Sequence, residues 1–186
     1  MARFGCGAHL LVAAGLLAAG NWPCLAQGSD ATPFTLSTLN FNSGGTLPMA
    51  QVNSAHGCKG GNSPPAMQWS APPQGTKSFA VTFFDVTARK GEGFWHWALF
   101  DIPPNTRKID LNQTPPGAKT GRNDFGDAGY GGACPPPGET HQYKLTVWAL
   151  RDASLPFDSG SSDKEIGAYI KAHAIAGADL MTSYKR

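Results

Sequence analysis

The run Phe79-Ala80-Val81-Thr82-Phe83-Phe84 is followed, after Asp85 and a short polar segment, by Phe94-Trp95-His96-Trp97-Ala98-Leu99-Phe100-Asp101-Ile102. Both runs are nearly continuous in apolar residues and rich in aromatic and β-branched side chains. Such runs are typical of strands that are buried on both faces of a sheet. We therefore predict that residues 78–84 and 94–102 form the central strands of the fold.

The second run contains one histidine between two tryptophans, in Trp95-His96-Trp97. Because side chains alternate across a strand, we expect His96 to face opposite to both tryptophans. That position makes His96 the polar member of an apolar neighbourhood. It indicates a lined pocket near the end of the strand.

The remaining pattern predicts a first hairpin between Phe34 and Gly45 and a strand over 143–150. A helix is predicted to begin at Ser162 or Asp163 and to end before Gly177, and a second short helix is predicted over 178–185. The long Gly- and Pro-rich segment 112–138 is expected to have a function beyond connecting strands. Many strands followed by helix predict a mainly antiparallel β sandwich with peripheral helices.

The N-terminus has the order of a secretory signal. Arg3 is followed by a short apolar run, Leu10 to Ala19, and by small residues before Gln27. The run is too short to span a membrane, for which about 20 residues are needed. We predict a cleaved signal peptide over 1–26, a flexible leader over 27–33, and one domain over 34–186 in a periplasmic or secreted protein without a transmembrane anchor. An uncleaved buried helix is the alternative.

Cleavage would leave two cysteines, Cys58 and Cys134. In an oxidising exported compartment, these two are predicted to form an intramolecular disulfide. Two buried free thiols, or a metal site with His56, are the alternatives, although this spacing matches no zinc pattern. The formal net charge is only +2, and the basic residues are scattered. This argues against nucleic acid as a partner, because binding to the phosphate backbone needs a basic stripe.

Four residues near the ends of apolar segments have side chains suited to a binding site: Asp85, His96, His141 and Tyr143. A carboxylate beside an imidazole fixes its tautomer and raises its pKa. Two imidazoles, a phenol and the backbone N–H groups of Gly131 and Gly132 would donate hydrogen bonds to an anion such as phosphate. The alternatives are that the histidines are hydrogen-bonded core residues, that Asp85 caps a turn, and that Tyr143 packs in the core.

Four segments of the chain form recognisable motifs: Ser63-Pro64-Pro65-Ala66-Met67-Gln68-Trp69-Ser70, Gly75-Thr76-Lys77-Ser78-Phe79-Ala80, Phe94-Trp95-His96-Trp97 and Cys134-Pro135-Pro136-Pro137-Gly138. These motifs resemble those of the phosphatidylethanolamine-binding protein family, in particular its bacterial Raf-kinase-inhibitor-like branch. The resemblance runs from about Phe34 to the C-terminus and keeps the order and spacing of the family.

This resemblance implies a large antiparallel sheet packed on a smaller one, with a C-terminal helix near a small anion-binding pocket. It places Asp85, His96, His141 and Tyr143 in that pocket, and Tyr130, Gly132 and Pro136 on the loop at its rim. The chain departs from the family pattern at three positions. Thr87 replaces a second acid, Arg89 replaces a proline, and Gln142 replaces an arginine between His141 and Tyr143.

The sequence therefore predicts an exported, non-enzymatic protein that binds a small anionic or phosphate-bearing group, with no cofactor and no metal. One alternative is an enzyme in which His96 or His141 acts as a general base beside Asp85, and a metal site made of these three residues is another. A third alternative is an inhibitor or interaction protein acting through loops around the pocket. The sequence identifies no protein partner, and it leaves a homodimer open.

Overall fold

The computed structural model describes residues 32–186, which form nine strands and one α-helix. The predicted signal peptide, its cleavage site and most of the predicted leader lie outside the described residues. The strands are β1 (Leu36–Thr38), β2 (Gly45–Thr46), β3 (Met67–Trp69), β4 (Ser78–Asp85), β5 (Phe94–Ile102), β6 (Lys108–Ile109), β7 (Lys119–Thr120), β8 (Thr140–Leu150) and β9 (Ala174–Lys185), and the helix α1 spans Asp163–His173.

The strands form two sheets. The large sheet has the order β2-β9-β8-β4-β5-β7 and the small one the order β1-β3-β6. The two predicted central strands, β4 and β5, are paired with each other inside the large sheet and are buried on both faces, as expected. Among the strands of residues 32–186, all long pairings are antiparallel, and the two-residue strand β2 runs parallel to its neighbour β9.

The large sheet separates two hydrophobic layers. One layer lies between the two sheets and includes Trp69 from β3, Val81 from β4 and Leu145 from β8. The other lies beneath α1, where Ile166 and Ile170 pack with residues of the large sheet such as Phe100. The predicted class, a two-sheet β sandwich with a C-terminal helix on its outside, is confirmed.

Helix α1 begins as the sequence predicts. The hydroxyl of Ser162 accepts a hydrogen bond from the Glu165 amide, and the Glu165 carboxylate accepts one from the Ser162 amide, which completes a capping box. Gly167 faces Trp95 so closely that a Cβ at this position would lie 2.0 Å from the indole ring. The missing side chain therefore lets the helix pack directly on β5, behind the strand that carries His96.

Two predicted elements are wrong. Residues 178–185 are not a helix but part of β9, which pairs with β8 along its whole length. Ala178 and Thr182 are buried, and Leu180 and Tyr184 are partly buried against the same core, so every second residue from 178 to 184 faces inward. An alternation of two is the period of a strand. The sequence shows it only weakly, because two of the inward residues, Ala178 and Thr182, have small side chains.

The predicted hairpin between Phe34 and Gly45 does not form either. Strand β1 pairs with β3, and β2 leaves for the other sheet. The reason lies at Thr38 and Asn40, whose side chains bond the backbone of Ala66 on the approach to β3. These bonds tie the end of β1 to the start of β3, so β1 has β3 as its partner.

The structure joins Cys58 and Cys134 in a disulfide, as the sequence predicts. This bond links the loop before β3 to the loop before β8. Within residues 32–186, the structure contains no helix with the length and apolar character that crossing a membrane would need.

Candidate functional site

A cavity of about 260 Å³ opens beside the junction of β4 and β5. Four of the sequence-predicted site residues line it: Asp85, His96, His141 and Pro136. The rest of the lining is mainly apolar, apart from one cation, and consists of Ala88, Arg89, Phe94, Phe125, Cys134 and Pro135. The disulfide thus anchors the wall that Cys134 and the adjacent prolines form.

His96 enters this cavity because β5 contains a β-bulge. Phe83 lies opposite Trp97 and Phe84 lies opposite Trp95, so His96 is one residue more than β4 can pair with. Its ring contacts Phe83 and Tyr143 between the sheets, the side on which Trp97 also packs. The predicted strict alternation is therefore wrong for Trp97, and only Trp95 faces the helix. Bulges re-aim side chains in this way near functional sites.

The environment of His96 keeps its ring neutral. The side chain is about 2% exposed, and Nδ1 lies 2.7 Å from the Gly131 carbonyl oxygen. A carbonyl only accepts, so Nδ1 carries the proton and the neutral ring presents Nε2 as an acceptor. Burial lowers the pKa of His96 to about 4, although the bonds from the Gly131 loop and the Asp85 charge oppose this shift.

His141 has the opposite environment because it lies between two carboxylates. Its Nδ1 is 2.6 Å from Asp85 Oδ2, and its Nε2 is 2.9 Å from Glu139 Oε2. Burial lowers the pKa of His141, but the hydrogen bonds and charges of Glu139 and Asp85 outweigh burial, so the pKa lies above its usual value of 6.5. Below this raised pKa, His141 is an imidazolium that donates through both nitrogens.

Glu139 was missed by the sequence prediction, although a signal was present. Residues two apart at a strand end lie on the same side, so a carboxylate two residues before a pocket histidine is placed to reach it. The side chain of Glu139 is 58% exposed, whereas that of Asp85 is 3% exposed. The Asp85 carboxylate is therefore held in the protein interior, whereas the Glu139 carboxylate is on the surface and can move.

Asp85 fills both roles that the sequence left open. Its Oδ1 accepts hydrogen bonds from the Thr87 amide, the Thr87 hydroxyl and the Ala88 amide, at 2.9, 2.8 and 3.0 Å. This is the turn-capping arrangement. Its other oxygen holds His141, so the same carboxylate shapes the turn and orients the imidazole.

Tyr143 lies beneath the site rather than in its lining. It is fully buried, stacks on Phe83 at 5.4 Å between ring centroids, and meets His96 edge-on at 5.4 Å. Its hydroxyl has no hydrogen-bond partner among the described residues. Burial raises its pKa above the usual value of 10, so the phenol stays neutral. Its ring packs against the rings of both His96 and His141.

The hydrogen-bond donors of the loop predicted to rim the pocket bond other parts of the protein instead of pointing into the cavity. The Gly131 amide bonds the His96 carbonyl, and the Gly132 amide bonds Asn62 Oδ1 at 2.7 Å. Both amides, which the sequence predicts as donors to an anion, therefore have partners within the protein in this structure. Tyr130 packs between Phe83 and Trp97 and donates to the Gln51 carbonyl. The structure does not bring Tyr130 or Gly132 into the cavity lining.

Arg89, which the sequence marked only as a departure from the family pattern, lies at the cavity. Its guanidinium is 3.2 Å from Asp124 Oδ2 and 4.8 Å from the centre of the Phe94 ring. The side chain is 53% exposed, so this cation can turn toward a ligand. Within residues 32–186, no group of three or more His, Cys, Asp or Glu side chains is arranged to hold a metal ion.

Comparison with known proteins agrees with this architecture. The family model described as phosphatidylethanolamine-binding protein matches residues 37–185. The chain belongs to the phosphatidylethanolamine-binding protein family. A family relative, protein YbcL of Escherichia coli strain K12, is 41% identical over 165 residues, which cover 84% of this chain and 90% of YbcL. Lipoprotein LppC of Mycobacterium tuberculosis strain H37Rv is 30% identical over 156 residues, covering 83% of this chain and 74% of LppC.

Solved structures of the family share the fold. The crystal structure of Escherichia coli YbcL matches with a TM-score of 0.79 and 41% identity, over 82% of this chain and 98% of that chain. A phosphatidylethanolamine-binding protein homologue from Chlamydia trachomatis matches with a TM-score of 0.69 and 24% identity, over 82% and 97% of the two chains. The second likeness concerns the fold alone.

Proposed function

We propose that this protein is an exported, non-enzymatic binding protein whose cavity takes a small anionic group, such as phosphate or a phosphoester head group. One observation carries the proposal. His141 Nε2 already holds an anionic oxygen, that of Glu139, at 2.9 Å. The bond between them is charge-assisted, and phosphate oxygens form bonds of the same kind.

The other lining groups suit the rest of such a ligand. Arg89 supplies a second cation at the cavity, and Phe94, Phe125 and Pro136 supply apolar walls for an organic portion. The neutral ring of His96 has an accepting Nε2, which would bind a hydroxyl of the ligand, including the P–OH of a singly charged phosphate. Asp85 keeps the imidazolium of His141 charged and oriented.

The same geometry argues against a general-base enzyme. A general base needs a nitrogen that is free to accept a proton, but Asp85 engages Nδ1 of His141 and Glu139 engages its Nε2. His96 is a weak base, because burial lowers its pKa to about 4. Cys134, which lines the cavity, is oxidised in the disulfide and cannot act as a nucleophile. The donor arrangement therefore favours binding over catalysis.

Export is part of the proposal. The signal-like residues 1–26, the leader 27–33 and a single domain over 34–186 are its sequence basis, and the disulfide fits an oxidising compartment. A relative is also named as a lipoprotein. We place the protein in the periplasm or outside the cell.

Calorimetry of the purified protein with inorganic phosphate and with dimethyl phosphate tests the function at about pH 5.5, where His141 is protonated. His141→Gln should weaken binding strongly. A matched control is His173→Gln, because His173 also bonds an aspartate, Asp152, at 2.6 Å, but lies outside the cavity lining. An absence of binding by the unmodified protein, or an equal loss in both variants, would refute the proposal.

A further inference from the structure

Glu139 occupies the one position on His141 that a ligand can use. An imidazolium has two N–H donors, and the buried Asp85 takes the proton of Nδ1. Nε2 is therefore the only ring donor left for an incoming anion. The Glu139 carboxylate lies on that donor at 2.9 Å, so a ligand oxygen and the Glu139 oxygen exclude each other.

The backbone that carries Glu139 is held at both its amide and its carbonyl. The Glu139 amide donates to Pro136 O at 3.1 Å, and its carbonyl accepts from the Arg186 amide at 3.2 Å. The preceding Gly138 amide donates to Arg186 O at 2.8 Å. Arg186 thus fixes the backbone of this loop, and only the exposed side chain of Glu139 is free to leave His141.

We propose that Glu139 is a built-in competitor that occupies the ligand's place on His141 and swings into solvent when an anion binds. This inference rests on the proposed function. It makes Glu139 a specificity-determining residue, because a neutral carbonyl or alcohol is a weaker acceptor for an imidazolium than the carboxylate it must displace. Only ligands with an anionic oxygen compete effectively, so the empty site rejects neutral molecules of similar size.

The expected effect of removing the competitor is modest. Ion pairs with a solvent-exposed partner are weak, so Glu139→Gln should tighten binding by about two- to fivefold. The experiment uses dimethyl phosphate, whose single charge does not change with pH, in calorimetry at about pH 5.5. Glu139→Asp is the sharper variant, since it keeps the charge but shortens the side chain that must reach His141.

A second variant shows whether Glu139 acts by occupying His141 or only through its negative charge. Glu92 is exposed, follows the turn that carries Arg89, and forms no salt bridge within residues 32–186. Glu92→Gln removes the same charge and should change the affinity less than about twofold. The carbon signal of the Glu139 carboxylate in NMR gives a second readout, because it should shift when dimethyl phosphate displaces it from His141.

The outcomes are distinct. Tighter binding in Glu139→Gln and Glu139→Asp, with little change in Glu92→Gln, supports the competitor. Equal effects of Glu139→Gln and Glu92→Gln, or no effect of either Glu139 variant on a protein that does bind, overturn the competitor and leave the proposed function standing. No binding by any form overturns both.

Discussion

The affinity for an anion should fall as the pH rises, and the protonation of His141 alone should set the pH range over which it falls. Binding in the proposed site needs the Nε2 proton of His141, whose pKa is raised above 6.5. His96 faces the same cavity but has a pKa near 4, so it stays neutral at both ends of a titration from about pH 5.5 to about pH 9. The other charged groups that face His141 or its ligand are Asp85, Glu139 and Arg89.

The size of the effect follows from the proton count. A histidine with the ordinary pKa of about 6.5 would weaken binding about 30-fold between about pH 5.5 and about pH 8. Because the pKa of His141 is raised, the loss by about pH 8 should be smaller and should continue above it, toward about tenfold per pH unit. Deprotonation leaves Asp85 and Glu139 beside a neutral ring, and their repulsion of an anion keeps the affinity of the deprotonated form low, so the decline continues at high pH.

Calorimetry with dimethyl phosphate at constant ionic strength measures this profile without titration of the ligand itself. His141→Gln should bind weakly at every pH and show a flat profile, whereas His96→Asn should keep the shape of the unmodified protein. A midpoint below about 6.5 would refute the assignment, because it would mean that the group controlling binding is not a histidine with a raised pKa. Persistence of the profile in His141→Gln would refute it as well.

Two further predictions concern stability. Asp163 is fully buried in the first turn of α1 without a hydrogen-bond partner for its carboxylate among the described residues, and burial raises its pKa from 3.8 to about 7. The folded state therefore keeps a proton that the unfolded chain releases, and the free energy of unfolding should fall by up to about 4 kcal/mol as the pH rises from about 4 to about 7. Asp163→Asn should remove this loss in urea denaturation, and an unchanged pH slope would contradict it. Replacing Cys58 and Cys134 together by Ser opens a loop with a sequence separation of 76 and should cost about 4 kcal/mol; a loss below about 1 kcal/mol by the same method would contradict that estimate.

Strong local signals made parts of the fold predictable. The apolar runs of β4 and β5 are continuous, the N-cap Ser162 has Glu165 three residues later, and only two cysteines lie in the described part of the chain. Strand β9 was mistaken for a helix because Ala178 and Thr182 are weak markers of a buried face. Its identity depends on the partner strand β8 rather than on its own residues.

The direction in which a site residue's side chain points was harder to predict than the residue's position near the cavity. A bulge is a property of two strands in register, so nothing in Trp95-His96-Trp97 alone shows that β4 pairs with both tryptophans and skips the histidine. Likewise, a matching motif places Tyr130 and Gly132 near the site in the chain. It does not show that the Tyr130 hydroxyl and the Gly132 amide turn to Gln51 and Asn62.

The replacement of an acid by Thr87 changes how charge is distributed around His141. An acid at this position would add a permanent negative charge beside Asp85. Thr87 instead donates its hydroxyl to Asp85 at 2.8 Å and accepts the Gln142 amide at 3.1 Å, which ties the end of β4 to β8 without adding charge. The second carboxylate at His141 comes from Glu139, whose side chain is exposed. In the proposed exchange, the Glu139 carboxylate leaves while Asp85 stays, so the site would replace a negative group of its own by an anion from solution at nearly constant net charge.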